Sequence, residues 1–109
     1  MPSVETTIFA VEETRTRNVY GSPKDARIVF DKDVAATMRD GIEIYVNVFR
    51  PEGDAEVPAI LCMAPYGKDS YPPDEQFERI PNVGSLPFSE WTGWEMPDPV
   101  FWCPAGYAV

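Results

Sequence analysis

A run of eight residues alternates strictly between two faces, and it constrains the fold more than any other feature of the sequence. Apolar side chains occupy positions 42, 44, 46 and 48, and the positions between them carry Glu43, Tyr45, Asn47 and Phe49. A period of two residues is typical of a β-strand. The preceding Arg39-Asp40-Gly41 predicts a hairpin turn, because glycine accepts positive φ without steric cost. Pro51 is predicted to end the strand.

The segments on either side of this strand extend the sheet. Residues 27–38 hold two apolar runs separated by Asp31-Lys32-Asp33, which predicts an edge strand with a bend. After an acidic loop, Pro58 opens the apolar run 59–63, which is typical of a parallel strand covered on both faces. The predicted class is therefore α/β, with an antiparallel hairpin that leads into a mixed, mostly parallel sheet. Residues 1–26 show no sustained period and are interpreted as an N-terminal arm.

The second half of the chain is rich in proline and aromatic residues. Most of the 12 prolines follow residue 50, so regular structure should be sparse from 80 to 104. A helical turn is expected from Asp74 to Arg79, with Asp74 as the N-cap. Four aromatic residues could form a lid or pocket wall, or could anchor an irregular loop onto the sheet, which is their commoner role. They are Trp91, Trp94, Phe101 and Trp102.

Composition excludes several classes of partner. The net charge is −9, with no histidine and only 9 basic residues, which leaves no electrostatic footprint for nucleic acid or anionic lipid. No apolar run approaches the ~20 residues that span a bilayer, and the N-terminus does not resemble a signal peptide. We expect a soluble, cytoplasmic protein. Cys62 and Cys103 are not spaced like zinc ligands, so no metal or cofactor is expected.

Several short motifs occur in an order that points to a known family. Asp40-Gly41, Arg50-Pro51 and Pro65-Tyr66-Gly67-Lys68 follow one another as in the start of the catalytic domain of the cocaine esterase and Xaa-Pro dipeptidyl-peptidase family of serine hydrolases, which the chain resembles. The closing segment, with Trp102 followed by Gly106-Tyr107, is similar to the family's approach to its fourth strand. The resemblance covers residues 27–109. It implies the N-terminal part of an α/β-hydrolase domain that ends before the nucleophile.

The resemblance also implies roles and positions for particular residues. In the family, the tyrosine that matches Tyr66 contributes its hydroxyl to the oxyanion hole. From the residues alone, an ordinary turn tyrosine is the commoner interpretation of Tyr66, since Pro-Tyr-Gly is a common turn composition. The family's fourth strand lies between its second and third, which would place residues 106–109 at the centre of the sheet. Cys62 and Cys103 would then be separated by roughly 12–16 Å, too far for a disulfide, and both are expected to be free thiols.

Other charged residues receive no functional assignment from the sequence. Lys68 and Asp69 could form a local ion pair or shape a pocket entrance, but adjacent exposed charges are most often solvated. The acidic group at 74, 75 and 78 lacks the alternating spacing of a calcium loop and is interpreted as a solvated surface.

The chain does not contain the parts of a catalytic triad. There is no histidine and no Gly-x-Ser-x-Gly motif, and Gly84-Ser85 is followed by Leu86-Pro87. Residues 1–109 alone are therefore expected to be inactive and to self-associate, while the complete enzyme would act on a small ester, an amide or a short Xaa-Pro peptide through an acyl-serine. The alternative is a small β-rich binding module with an aromatic ligand face.

Overall fold

The computed structural model describes residues 4–15, 20–78 and 88–109. Its strands are β1 (Glu5–Ala10), β2 (Arg27–Thr37) and β3 (Glu43–Pro51), and its helices are α1 (Asp74–Glu78) and α2 (Pro99–Trp102). A single 3-10 turn, Val11–Glu13, follows β1. The strands form one antiparallel sheet in the order β1-β2-β3. Within the described residues, no helix is long and apolar enough to cross a membrane.

The predicted hairpin joins β2 to β3. The Met38 amide donates to the Ile42 carbonyl at 2.8 Å and the Gly41 amide to the Met38 carbonyl at 3.0 Å. Gly41 has φ +87°, the left-handed conformation for which glycine was expected. The pairing runs from Ile28 opposite Pro51 to Thr37 opposite Glu43 and shifts register between Asp31 and Val34. This shift is a β-bulge at the predicted bend. The predicted turn and the predicted bend are therefore both confirmed.

The position of β2 in the sheet differs from the prediction. β2 was expected at an edge, but it is the central strand because Glu5–Ala10, within the predicted arm, forms β1 and pairs along it. The register runs from Glu5 opposite Lys32 to Ala10 opposite Arg27. Residues 5–10 form a short segment whose apolar residues 8–10 are consecutive and show no period of two, so their strand conformation depends on β2 as a partner rather than on a local pattern.

The predicted buried parallel strand at 59–63 is not observed for most of its length. Only Ala59 forms a parallel bridge, with Ala108, and the side chains of Leu61 and Met63 are 80% and 88% exposed. A buried parallel strand needs neighbours on both edges and cover on both faces. In the described residues this run is paired only at its beginning. The described sheet is accordingly antiparallel, and the mostly parallel sheet is not observed.

The order of the segments nevertheless follows the family pattern. The amide and carbonyl of Val109 each bond to Phe49 at 2.8 Å, an antiparallel pair. On its other side the same segment bonds to residues 58–60: the Ala108 amide donates to the Pro58 carbonyl at 2.9 Å and the Ile60 amide to the Ala108 carbonyl at 2.8 Å. Residues 108–109 thus lie between β3 and the segment that begins at Pro58, as the resemblance implies.

The core covers one face of the sheet. Its buried members are Phe9, Ile28, Phe30, Phe49, Val100 and Cys103. Phe30 and Phe49 lie opposite each other on neighbouring strands and their rings stack at 4.3 Å. Alternate residues of a strand share a face, so Tyr45 and Asn47 lie on the same side of the sheet as the core residue Phe49. The isoleucines of the alternating run lie on the opposite face. On that outer face Ile8, Ile42 and Ile44 are exposed.

The aromatic residues of the proline-rich region make separate contacts. Trp91 lies 5.2–5.7 Å from the rings of Phe9, Phe30, Phe49 and Tyr71 and so anchors its loop onto the sheet. Trp94 contacts Phe77, while Phe101 and Trp102 contact each other. The four residues therefore do not form a single aromatic face, which argues against the binding-module alternative.

Two short helices flank this region. α1 lies within the predicted helical turn, but Asp74 is its first residue and not its N-cap, whereas Arg79 and Gly84-Ser85 lie outside the described residues. α2 was not predicted, because the prolines around it indicated irregular structure. Pro99 is nevertheless compatible with the first turn of a helix, and the Asp98 carboxylate accepts from the Val100 amide at 3.0 Å as an N-cap.

We predict that Trp91→Ala weakens the sheet. Truncating this ring leaves a space against three core phenylalanines, which should lower the local opening free energy by about 3 kcal/mol and speed amide exchange in β2 and β3 roughly a hundredfold. Hydrogen-exchange mass spectrometry of the full-length protein measures this change. Glu56→Ala, at an exposed position in the acidic loop after β3, is the control and should leave exchange in β2 and β3 unchanged. Equal protection in both variants would contradict the anchoring role of Trp91.

Candidate functional site

A cleft of about 290 Å³ lies between β3 and residues 60–64, and we call it the β3 cleft. β3 forms one wall and residues 60–64 form the other, and the lining also includes Trp91, Met96, Pro97 and Pro99. The polar groups within it come from few residues, among them Asn47, Lys68 and Tyr71. A mostly apolar cleft with a few polar side chains is the usual form of a small-molecule site.

Tyr66, the predicted site residue, lies in the turn that follows the second wall of the β3 cleft. The next residue, Gly67, has φ +87°, and its carbonyl accepts from the Ser70 amide at 3.3 Å. Tyr66 is 47% exposed and lies outside the lining of the cleft, whereas Ala64 and Lys68, on either side of it, belong to that lining. The turn thus holds Tyr66 at the edge of the cleft.

Four polar residues attach this turn to the sheet, and we call them the Lys68 network: Asp33, Asn47, Lys68 and Asp69. Lys68 Nζ donates to Asp33 Oδ1 at 2.5 Å and to Asp69 Oδ2 at 2.9 Å. Asn47 Nδ2 donates to Asp69 Oδ1 at 2.8 Å, and the Asp33 amide donates to Asn47 Oδ1 at 3.1 Å. Lys68 and Asp69 are therefore an ion pair, one of the two possibilities that the sequence left open, and they contact both β2 and β3.

The electrostatics of the Lys68 network favour its charged form. Burial lowers the pKa of Lys68, but its hydrogen bonds to Asp33 and Asp69 outweigh that effect and raise the pKa above its ordinary value. The hydrogen bond from Lys68, followed by that from Asn47, lowers the pKa of Asp69. The contribution of Asp69 to stability is thus lost as the pH falls below about 4, and that of Lys68 as the pH rises beyond about 10.4.

A second polar cluster lies beneath α2. The buried Asp98 carboxylate accepts from the Tyr20 hydroxyl at 2.5 Å, from Ser89 Oγ at 2.7 Å and from the Val100 amide. Burial and the bond to Asp98 raise the pKa of Tyr20. Three donors are enough to satisfy a buried carboxylate. Ser89 donates directly to the acid, with no base between them, so the cluster fixes the loop before α2 and is not the serine-base pair of a hydrolase.

Both cysteines are free, and their surroundings differ. Cys62 lies in the wall of the β3 cleft, partly exposed, and its Sγ contacts the Glu95 carbonyl at 3.4 Å. Cys103 is buried in the core, where burial and the nearby Asp98 charge raise its pKa to about 12. In the described part of the chain no group of three or more acidic, cysteine or histidine residues is arranged to hold a metal ion.

Sequence reasoning located the turn of Tyr66 but not the residues that hold it. Asp33 and Lys68 are 35 residues apart, and nothing in either local pattern links them. The only signal was the interruption of the apolar pattern at Asp31-Lys32-Asp33, which indicated a bend and not a partner for the turn. Asp98 and Ser89 had no signal at all.

Comparison with known proteins identifies the family. The sequence model of the X-Pro dipeptidyl-peptidase (S15) family matches residues 40–109. The chain belongs to this family. The match covers β3, the β3 cleft and the turn of Tyr66, so the resemblance drawn from the motifs is confirmed. Among curated proteins no match was found.

Solved structures of a CocE/NonD family hydrolase share this fold. Two crystal structures of a CocE/NonD family hydrolase from Staphylococcus aureus superpose with TM-scores of 0.70 and 0.68 at 30% sequence identity. In both, the match covers 100% of this chain and 18% of the hydrolase chain. This S15 chain thus spans less than a fifth of the length of these relatives.

We predict that the two thiols react very differently with iodoacetamide at pH 8. Partly exposed Cys62 should be alkylated. Cys103 should not, because with a pKa of about 12 only about one thiol in ten thousand is ionised and the side chain is buried. Peptide mass spectrometry reports each site separately, and denaturation in guanidinium provides the control in which both react. Equal labelling of the two thiols in the native protein would contradict the buried position of Cys103.

Proposed function

We propose that the full-length protein is a hydrolase that cleaves esters, amides or Xaa-Pro peptides through an acyl-serine intermediate. In this proposal residues 1–109 supply one wall of the substrate site and the Tyr66 hydroxyl as an oxyanion donor. One observation carries the proposal. The Tyr66 turn directly follows the segment that starts at Pro58 and pairs with residues 108–109. In α/β-hydrolases the loop after the third strand contributes a donor to the oxyanion hole.

The chemistry of the chain is consistent with a supporting role in catalysis. Residues 1–109 contain no histidine, so the usual base of an acyl-serine mechanism is not among them. A phenol hydroxyl held at the edge of an apolar cleft can donate to the negative charge that develops on a tetrahedral intermediate. The apolar lining of the β3 cleft suits the acyl or prolyl part of a substrate. Free thiols are in keeping with a cytoplasmic location, which is part of the same proposal.

Replacing the tyrosine hydroxyl tests the oxyanion role. Tyr66→Phe should lower kcat about a hundredfold or more and leave KM nearly unchanged, because the hydroxyl acts on charge that develops only in the transition state. Steady-state hydrolysis of p-nitrophenyl acetate and of an Xaa-Pro-p-nitroanilide by the full-length protein measures both constants. Tyr107→Phe is the matched control, because Tyr107 packs against Trp102. An unchanged kcat in Tyr66→Phe would reduce Tyr66 to a turn residue.

Residues 1–109 on their own should self-associate. Ile8, Ile42 and Ile44 are exposed on the outer face of the sheet, and Leu61 and Met63 are exposed beside the β3 cleft. Apolar faces and strand edges without cover are templates for association. Size-exclusion chromatography with light scattering should show concentration-dependent oligomers, and a thermal melt should be broad. A monodisperse monomer with a sharp transition would instead support an autonomous binding module.

A further inference from the structure

Asp33 has a backbone conformation that needs explanation. It lies in the β-bulge of β2 with φ +62°, a left-handed conformation that is uncommon for a residue with a side chain. Such residues persist only where the surrounding structure holds them, and bulges often redirect a side chain next to an active site. The strain at Asp33 therefore raises the question of what the redirected carboxylate contacts.

The carboxylate contacts the turn that carries Tyr66. Asn47 accepts from the Asp33 amide and fixes the bulge, while Asp33 Oδ1 accepts from Lys68 Nζ at 2.5 Å. Asn47 also reaches the turn itself, since its Nδ2 donates to the Lys68 carbonyl at 3.4 Å. The turn is thus tied to β2 through a charge and to β3 through an amide, two residues after Tyr66.

We propose that Asp33 and Lys68 are positioning residues that hold the Tyr66 hydroxyl in place for the reaction. This inference rests on the proposed role of Tyr66. An oxyanion donor must be fixed before charge develops, and a displacement of about 1 Å can lower a rate about a hundredfold. The turn has Gly67 at a left-handed φ, and the hydrogen bond across it, from the Ser70 amide to the Gly67 carbonyl, is long at 3.3 Å, so its own backbone constrains Tyr66 weakly. The ion pair supplies the missing constraint.

The environment of the pair is compatible with a positioning role. The side chains of Lys68 and Asp33 are each 27% exposed, less than those of Arg27 and Glu52, the exposed pair at the other end of the sheet. Fully exposed pairs contribute little to stability, about 0–1 kcal/mol. A partly buried pair that also bonds to Asp69 is less screened by solvent and holds both side chains in one geometry.

A double-mutant cycle with Tyr66→Phe tests the proposal in the full-length protein. Asp33→Asn and Lys68→Met should each lower kcat for p-nitrophenyl acetate about tenfold, with KM changed less than about twofold. In the Tyr66→Phe background the same substitutions should lower kcat less than about twofold, because there is no hydroxyl left to misplace. A merely structural pair would lower kcat equally in both backgrounds.

Asp31→Asn is the matched control. It makes the same substitution on the same strand and breaks the pair with Arg50 (3.4 Å), which does not contact the turn, so kcat should stay unchanged. Lys68→Met leaves the bulge backbone untouched and decides the question if Asp33→Asn does not fold. The proposal is overturned if both variants match the control, or if their effects persist undiminished in Tyr66→Phe. If Tyr66→Phe itself leaves kcat unchanged, the proposed oxyanion role fails first.

Discussion

Two backbone hydrogen bonds between Phe49 and Val109 determine the arrangement of the cleft side of the molecule. They place residues 108–109 along β3. On their other side, these two residues pair with the segment that begins at Pro58. That segment forms the second wall of the β3 cleft and leads into the turn of Tyr66. Because strand spacing is fixed at about 4.8 Å, one intervening strand determines the separation of the two walls. The position of the candidate site is therefore a consequence of strand order.

Features that depend on local chemistry could be predicted from the sequence. The hairpin at Gly41, the alternation of β3 and the bend before Val34 each follow from a few neighbouring residues, and the structure contains all three. The turn of Tyr66 belongs to the same group, since Pro65 and Gly67 favour a turn whatever surrounds it. The family resemblance added what local chemistry could not, namely that residues 108–109 lie beside β3.

Features that depend on distant partners could not be predicted in this way. β1 is a strand because β2 offers an edge, and the run 59–63 is exposed over most of its length because its apolar composition does not itself provide a neighbour. The same holds for the site. An ion pair between Asp33 and Lys68 requires the hairpin, the bulge and the turn to be placed first, and only then are the two side chains within reach. An apolar pattern predicts that a segment can be covered and does not show what covers it.

β3 joins the core to the candidate site through its period of two. Phe49 stacks on Phe30 and contacts Trp91, so its backbone position is fixed by aromatic packing. Asn47 lies two residues earlier on the same face, and its amide bonds both to the bulge and to the turn of Tyr66. A strand held rigidly at Phe49 holds Asn47 with it, because adjacent pairs in a ladder move together. The packing of three aromatic rings is thereby transmitted to a turn whose own backbone is weakly constrained. The geometry of Tyr66 therefore depends on Trp91 as well, although Trp91 is not part of the Lys68 network.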